Sequence, residues 1–126
     1  MTGLAARFFG SAIVYAILGM TLGLVMGITQ DHVQMPTHAH LLLVGWVSFA
    51  LFGLFYHLFP LAGEGWLANT QFWLAQASFL TLILALFLIF SGRSGAEPIA
   101  AAGSTGLLVS MILFGLIALP IVMGQR

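Results

Sequence analysis

Four long stretches of this chain are almost wholly apolar, and only short connections separate them. The stretches cover residues 8–29, 38–61, 67–90 and 99–123. A helix needs about 20 predominantly apolar residues to cross the hydrocarbon of a bilayer, and each stretch meets that length. The connections, residues 30–37, 62–66 and 91–98, are short enough that consecutive helices must run as antiparallel neighbours. The expected fold is therefore all-α, a four-helix transmembrane up-down bundle forming one domain over residues 1–126.

Composition excludes the alternative of a water-soluble bundle. The chain is 61% hydrophobic and only 5% charged, against about a quarter charged in ordinary soluble domains. So few charges cannot clothe a domain in water, and the lipid bilayer is the expected solvent. The formal net charge is zero, which leaves no basic patch for nucleic acid. Cysteine is absent, which rules out disulfides, thiolate metal sites and heme attached through a Cys-x-x-Cys-His motif. The first apolar stretch is too long for the core of a secretory signal and is followed by further spans, so it reads as a membrane helix.

The Lys/Arg bias sets an expected orientation. Arg7 and Arg126 fall on one side of the membrane and Arg93 on the other. Both termini are then expected in the cytoplasm of a bacterial inner membrane, with loop 30–37 on the outer face. Within the first stretch, Ala12, Ala16, Gly19, Gly23 and Gly27 recur at spacings of three and four. Such a stripe permits close helix approach, either to the second helix or to another copy. Pro60 and Pro120 stand near helix ends, where they end or bend a helix.

The side chains with the strongest chemistry are four histidines, His32, His38, His40 and His57. Ionisable residues in membrane segments are rare and usually functional. Neutral imidazole is also the commonest metal ligand. His38 opens the second helix after Met35-Pro36-Thr37, with Thr37 as the expected N-cap and Pro36 just outside. His40 follows two residues later, about 200° around the helix axis, so the two rings point to nearly opposite faces. His57 lies 19 residues beyond His38, about 28 Å along the axis. It cannot share a heme iron with His38 of the same chain and suits the far interface or a second site. His32 lies in the loop. The tightly spaced His38 and His40 are the pair that packing explains least.

The run Pro36-Thr37-His38-Ala39-His40, followed by Ala50-Leu51-Phe52-Gly53-Leu54-Phe55-Tyr56-His57, resembles the second helix of subunit I of the heme-copper oxidases. The likeness is nearest to the C-family oxidases and nitric oxide reductases. It covers about a quarter of the chain, residues 31–60. In that family the opening His is an axial ligand of a low-spin heme near the outer face, which the resemblance places on His38. The family's Asn two positions on is His40 here. The rest of the family pattern is missing. The third and fourth helices hold no His, so nothing corresponds to the high-spin heme or the copper ligands. The resemblance implies a heme ligand and not an oxidase.

The leading expectation is a small b-type cytochrome that holds non-covalent heme b near the outer face. It would carry electrons between quinol and a periplasmic redox protein, or sense a diatomic gas. The second axial ligand would be His38 or His40 of another copy in a homo-oligomer, or the thioether of Met26, or of Met111 deeper in the fourth helix. Trp46 and Phe49 are placed to pack on a porphyrin. A second expectation is copper handling through His32-x-x-Met35-x-x-His38-x-His40, since thioether and imidazole suit copper. A third is an accessory subunit of a respiratory complex that binds nothing. No catalytic residue is assigned, because Asp31, Glu64 and Glu97 all fall in the expected loops and no nucleophile–base set is present.

Overall fold

The computed structural model describes residues 1–124. Arg126, half of the expected charge bias, lies outside the described residues. Four helices form: α1, Gly3–Thr29; α2, Met35–Leu58; α3, Trp66–Ile89; and α4, Glu97–Val122. All four are long and apolar enough to cross a membrane. The chain is an integral membrane protein built as an up-down helical bundle.

Three helix starts and one end differ from the sequence expectation for local reasons. α1 begins at Gly3, so Arg7 lies inside it and its guanidinium stands 5.1 Å over the Phe72 ring. α2 begins at Met35 with Gln34 as its N-cap. Thr37 is therefore not the cap, and Pro36 is inside the first turn. Proline fits there because a first-turn N–H has no intrahelical acceptor to lose. Thr37 is instead buried and donates its hydroxyl to Gln34 Oε1 at 2.7 Å. α2 ends at Leu58, not 61, because Phe59 precedes Pro60 and takes φ −125°, ψ 72°, the non-helical region proline imposes on its predecessor. Glu97 is not a loop residue. It opens α4, where a carboxylate complements the positive end of the helix dipole.

α2 is not a uniform α-helix. Residues Leu41–Ser48 form a π-helix, a widened geometry with i→i+5 hydrogen bonds. Its consequence is register. Thr37, Leu41, Gly45 and Phe49, spaced by four, are all buried. In an α-helix three steps of four drift by about 120° around the axis. The wider π turn absorbs that drift and keeps all four on the bundle side. Gly45 is required at this contact, because a Cβ there would stand 2.7 Å from both Phe79 Cζ and Tyr15 Cβ.

α1 packs on α2, and α3 on α4. The centre is aromatic. Phe8 lies 5.7 Å from Phe49, 5.2 Å from Phe52, 4.8 Å from Phe72, and stacks on Tyr56 at 5.8 Å. α4 sits at the edge, with 11% of its apolar window buried, and reaches α2 through Phe114 against Phe52 at 4.7 Å and Phe55 at 5.1 Å.

Three buried glutamines tie the helices together at three levels. Near the 30–34 loop, Gln34 Nε2 donates to Phe87 O at 3.1 Å and to Ser91 Oγ at 3.0 Å. Midway, Tyr15 donates to Gln76 Oε1 at 2.5 Å, and Gln76 Nε2 donates to Ser11 Oγ at 2.7 Å. At the next level Tyr56 donates to Gln71 Oε1 at 3.1 Å, and Gln71 Nε2 to Ser110 Oγ at 3.3 Å. Polar bonds between helices contribute about 0.6 kcal/mol each in membranes, up to about 1.7. Lipid-facing threonines are satisfied differently: Thr21, Thr81 and Thr105 donate to carbonyls four residues back.

Candidate functional site

His38 and His40 open α2 on the same side of the bundle as the 30–34 loop, and both rings are anchored the same way. His38 Nδ1 lies 2.7 Å from Gly19 O of α1. His40 Nδ1 lies 2.8 Å from Pro36 O, four residues back in its own helix. A carbonyl only accepts, so in each neutral ring the proton is on Nδ1 and the lone pair is on Nε2. Neither Nε2 has a hydrogen-bond partner among the described residues. No buried side-chain nitrogen or oxygen lacks a partner among the described residues. Both unpartnered Nε2 atoms therefore reach the accessible surface.

This is the anchoring expected of metal-ligating histidines. The second ring nitrogen donates to a backbone carbonyl, which fixes tautomer and ring orientation and raises ligand basicity. The residues thus fit a heme iron or another imidazole-seeking centre.

The two rings serve different surfaces. His38 lies in the small-residue groove of α1, where a Cβ on Gly23 would stand 2.6 Å from His38 Cε1 and 3.1 Å from its Nδ1. Gly19 meets Leu41 and Leu42 in the same groove. The stripe on α1 is thus the seat of α2, except that a Cβ on Gly27 would meet nothing within 4 Å. His40 has no such seat. It is half-buried and held by its own turn.

The other expected site residues are scattered. Met26 is buried in α1. Trp46 stands edge-on to Phe9 of α1 at 6.0 Å. His32 and Met35 are exposed, and among the described residues no three His, Cys, Asp or Glu side chains gather into a metal site. His57 is exposed on the last turn of α2, at the opposite end from His38. With Tyr56, Pro60, Glu64 and the start of α1 it lines a cavity of about 190 Å³. A second cleft of about 230 Å³ lies between the π segment and α4, lined by Val44, Ser48, Phe52, Leu107, Ser110 and Met111. Both are smaller than the roughly 300–1,000 Å³ of ordinary cofactor sites, and neither includes His38 or His40. A porphyrin held by these imidazoles would lie against the outside of one chain's bundle.

Sequence reading missed the glutamines. The available signal was a pair of long amides, Gln71 and Gln76, inside the largely apolar third span. Polar residues there pair with other helices more often than they face lipid. Comparison with protein-family models, curated proteins and solved structures gives no match.

Proposed function

We propose that the chain is a small b-type cytochrome of a bacterial inner membrane, holding heme at the His38–His40 mouth of α2. The observation that carries the reading is the shared anchoring of the two imidazoles, each with Nδ1 on a backbone carbonyl and Nε2 unpartnered. The resemblance of residues 36–57 to a heme-bearing helix supports it independently. When bound, the heme supplies a one-electron couple, or a gas-binding iron if one axial position stays open. The protein's own residues fix the imidazoles through Gly19 O and Pro36 O, and the first turn of α2 would put the site near one membrane face. With the termini cytoplasmic, that face is the outer one, where electrons from membrane quinol would pass to a periplasmic redox protein.

The test is an absorption spectrum of detergent-purified protein produced with ample heme. A Soret band with sharp α and β bands on reduction is expected, and both should disappear in the double variant His38→Ala/His40→Ala. A colourless wild-type preparation would refute the reading.

A further inference from the structure

α4 is drawn to α3 and stands off the π segment of α2. Gly103 lets the α3 and α4 backbones meet, since a Cβ there would lie 2.8 Å from Leu82 N. α4 reaches α2 further from the 30–34 loop, through Phe114. The separation leaves the cleft of about 230 Å³, with Val44 and Ser48 on its α2 wall and Leu107 and Met111 on its α4 wall. Met111 is exposed, so the cleft opens to the bilayer.

His40 heads the α2 wall. His40, Val44 and Ser48 are spaced by four, the interval that the π segment keeps on one face. The imidazole thus stands one turn from the cleft, on the side of the 30–34 loop.

The polar atoms along this row are hydrogen-bond acceptors. His40 Nδ1 donates to Pro36 O at 2.8 Å, which leaves a lone pair on Nε2. Ser48 donates to Leu43 O at 3.2 Å and Ser110 to Gln71 O at 3.3 Å, so both hydroxyl hydrogens are committed. The Glu97 carboxylate opens α4 on the same side of the bundle. A phosphate head would carry the same sign of charge as Glu97 and find no donor on the row. An acyl chain alone would leave the imidazole unused. The complement is an uncharged amphiphile with an apolar tail and a small head that donates hydrogen bonds. A quinol, with two phenolic hydroxyls on one ring, meets that description. The oxidised quinone, with carbonyls only, does not.

His38 is free to keep the iron. Gly23 meets the Cε1–Nδ1 edge of its ring, and the ring is about 200° from His40 around the axis.

Resting on the quinol-linked heme reading above, we infer that the reduced form of a membrane quinone binds between α2 and α4. One phenolic hydroxyl donates to His40 Nε2, and the tail lies in the cleft beside Val44 and Ser48. The site discriminates quinol from quinone because Pro36 O holds the imidazole as an acceptor.

The experiment uses full-length protein purified with heme and placed in nanodiscs of phosphatidylcholine. Binding above that of empty discs is measured for decylubiquinol with the heme reduced and for decylubiquinone with the heme oxidised, so that neither is consumed. The absorption spectrum of each sample is recorded. Wild type should bind the quinol about fivefold more tightly, the worth of one hydrogen bond. His40→Ala should lose that preference and keep heme, whereas His38→Ala should lose heme and keep the preference. Leu107→Trp, which fills the cleft from α4, should weaken both forms about tenfold or more and tests the site even if His40→Ala misfolds, since such a bulk in a one-ring slot removes the tail contacts. Equal binding of the two forms, a preference that survives His40→Ala, binding indifferent to Leu107→Trp, or heme lost in His40→Ala but kept in His38→Ala would overturn the inference while leaving a heme protein. A colourless wild type that still prefers quinol would overturn the heme reading and leave the quinol site standing.

Discussion

His38 occupies the space that a side chain at Gly23 would need: a Cβ there would come within 2.6 Å of the ring's Cε1. Between α1 and α2 the imidazole is thus both a hydrogen-bond donor, to Gly19 O, and a packing element. Gly23→Val should expel the ring from the groove and break that bond. Overpacking of this kind costs about 1–3 kcal/mol. The thermal midpoint in detergent should fall, and His38→Ala in the Gly23→Val background should recover part of the loss. A Gly23→Val protein as stable as wild type would show that the groove does not hold the ring.

The same logic applies to the other hairpin. A Cβ on Gly103 would stand 2.8 Å from Leu82 N and 2.9 Å from Ser78 O, both backbone atoms of α3. Backbone cannot yield as a flexible side chain can. Gly103→Val is expected to force α4 off α3 and destabilise the protein by about 1–3 kcal/mol or more. Protease sensitivity of loop 91–96 should rise with it. Gly95→Ala, where a Cβ meets nothing within 4 Å, should change neither.

Gln76 bridges Tyr15 and Ser11 of α1 from α3. Gln76→Leu leaves the buried Tyr15 hydroxyl without its acceptor, at a cost of about 1 kcal/mol by the measured range for membrane polar bonds. Tyr15→Phe added to Gln76→Leu should then cost little further, giving a coupling of about 0.5–1 kcal/mol in a double-mutant cycle. Additive effects would mean that the two side chains do not communicate.

The π segment makes a prediction about length. Removing the exposed Leu43 changes the spacing of Thr37, Leu41, Gly45 and Phe49 from 4, 4, 4 to 4, 3, 4. Eleven residues of plain α-helix make three turns to within about 20°, so the four buried positions stay on one face without any π geometry. The deletion is expected to keep helical content by circular dichroism and lose little thermal stability. Inserting one Ala at the same place should be far more damaging. The reverse order would mean that the register does not depend on the widened turn.

The architecture was legible in the chain because it follows from local, additive properties. Bilayer thickness fixes how many apolar residues a span needs, and short connections fix antiparallel neighbours. The imidazoles were legible too, since histidines in an apolar chain stand out whatever surrounds them. That His38 and His40 diverge follows from helix geometry alone.

The faces were not legible, and the reason is the solvent. In water, an apolar stripe marks the buried side of a helix. In lipid, exposed and buried faces are equally apolar, as the exposed Leu43, Leu51 and Leu58 beside the buried Leu41 and Phe49 illustrate. Only the folded arrangement decides that Gly19 and Gly23 receive His38, that His40 is held by its own turn, and that Gln34, Gln71 and Gln76 turn inward to partners up to 65 residues distant. Hydropathy and span length set four helices across a membrane. Close contacts between residues far apart in sequence, which no local pattern encodes, set what each imidazole can reach.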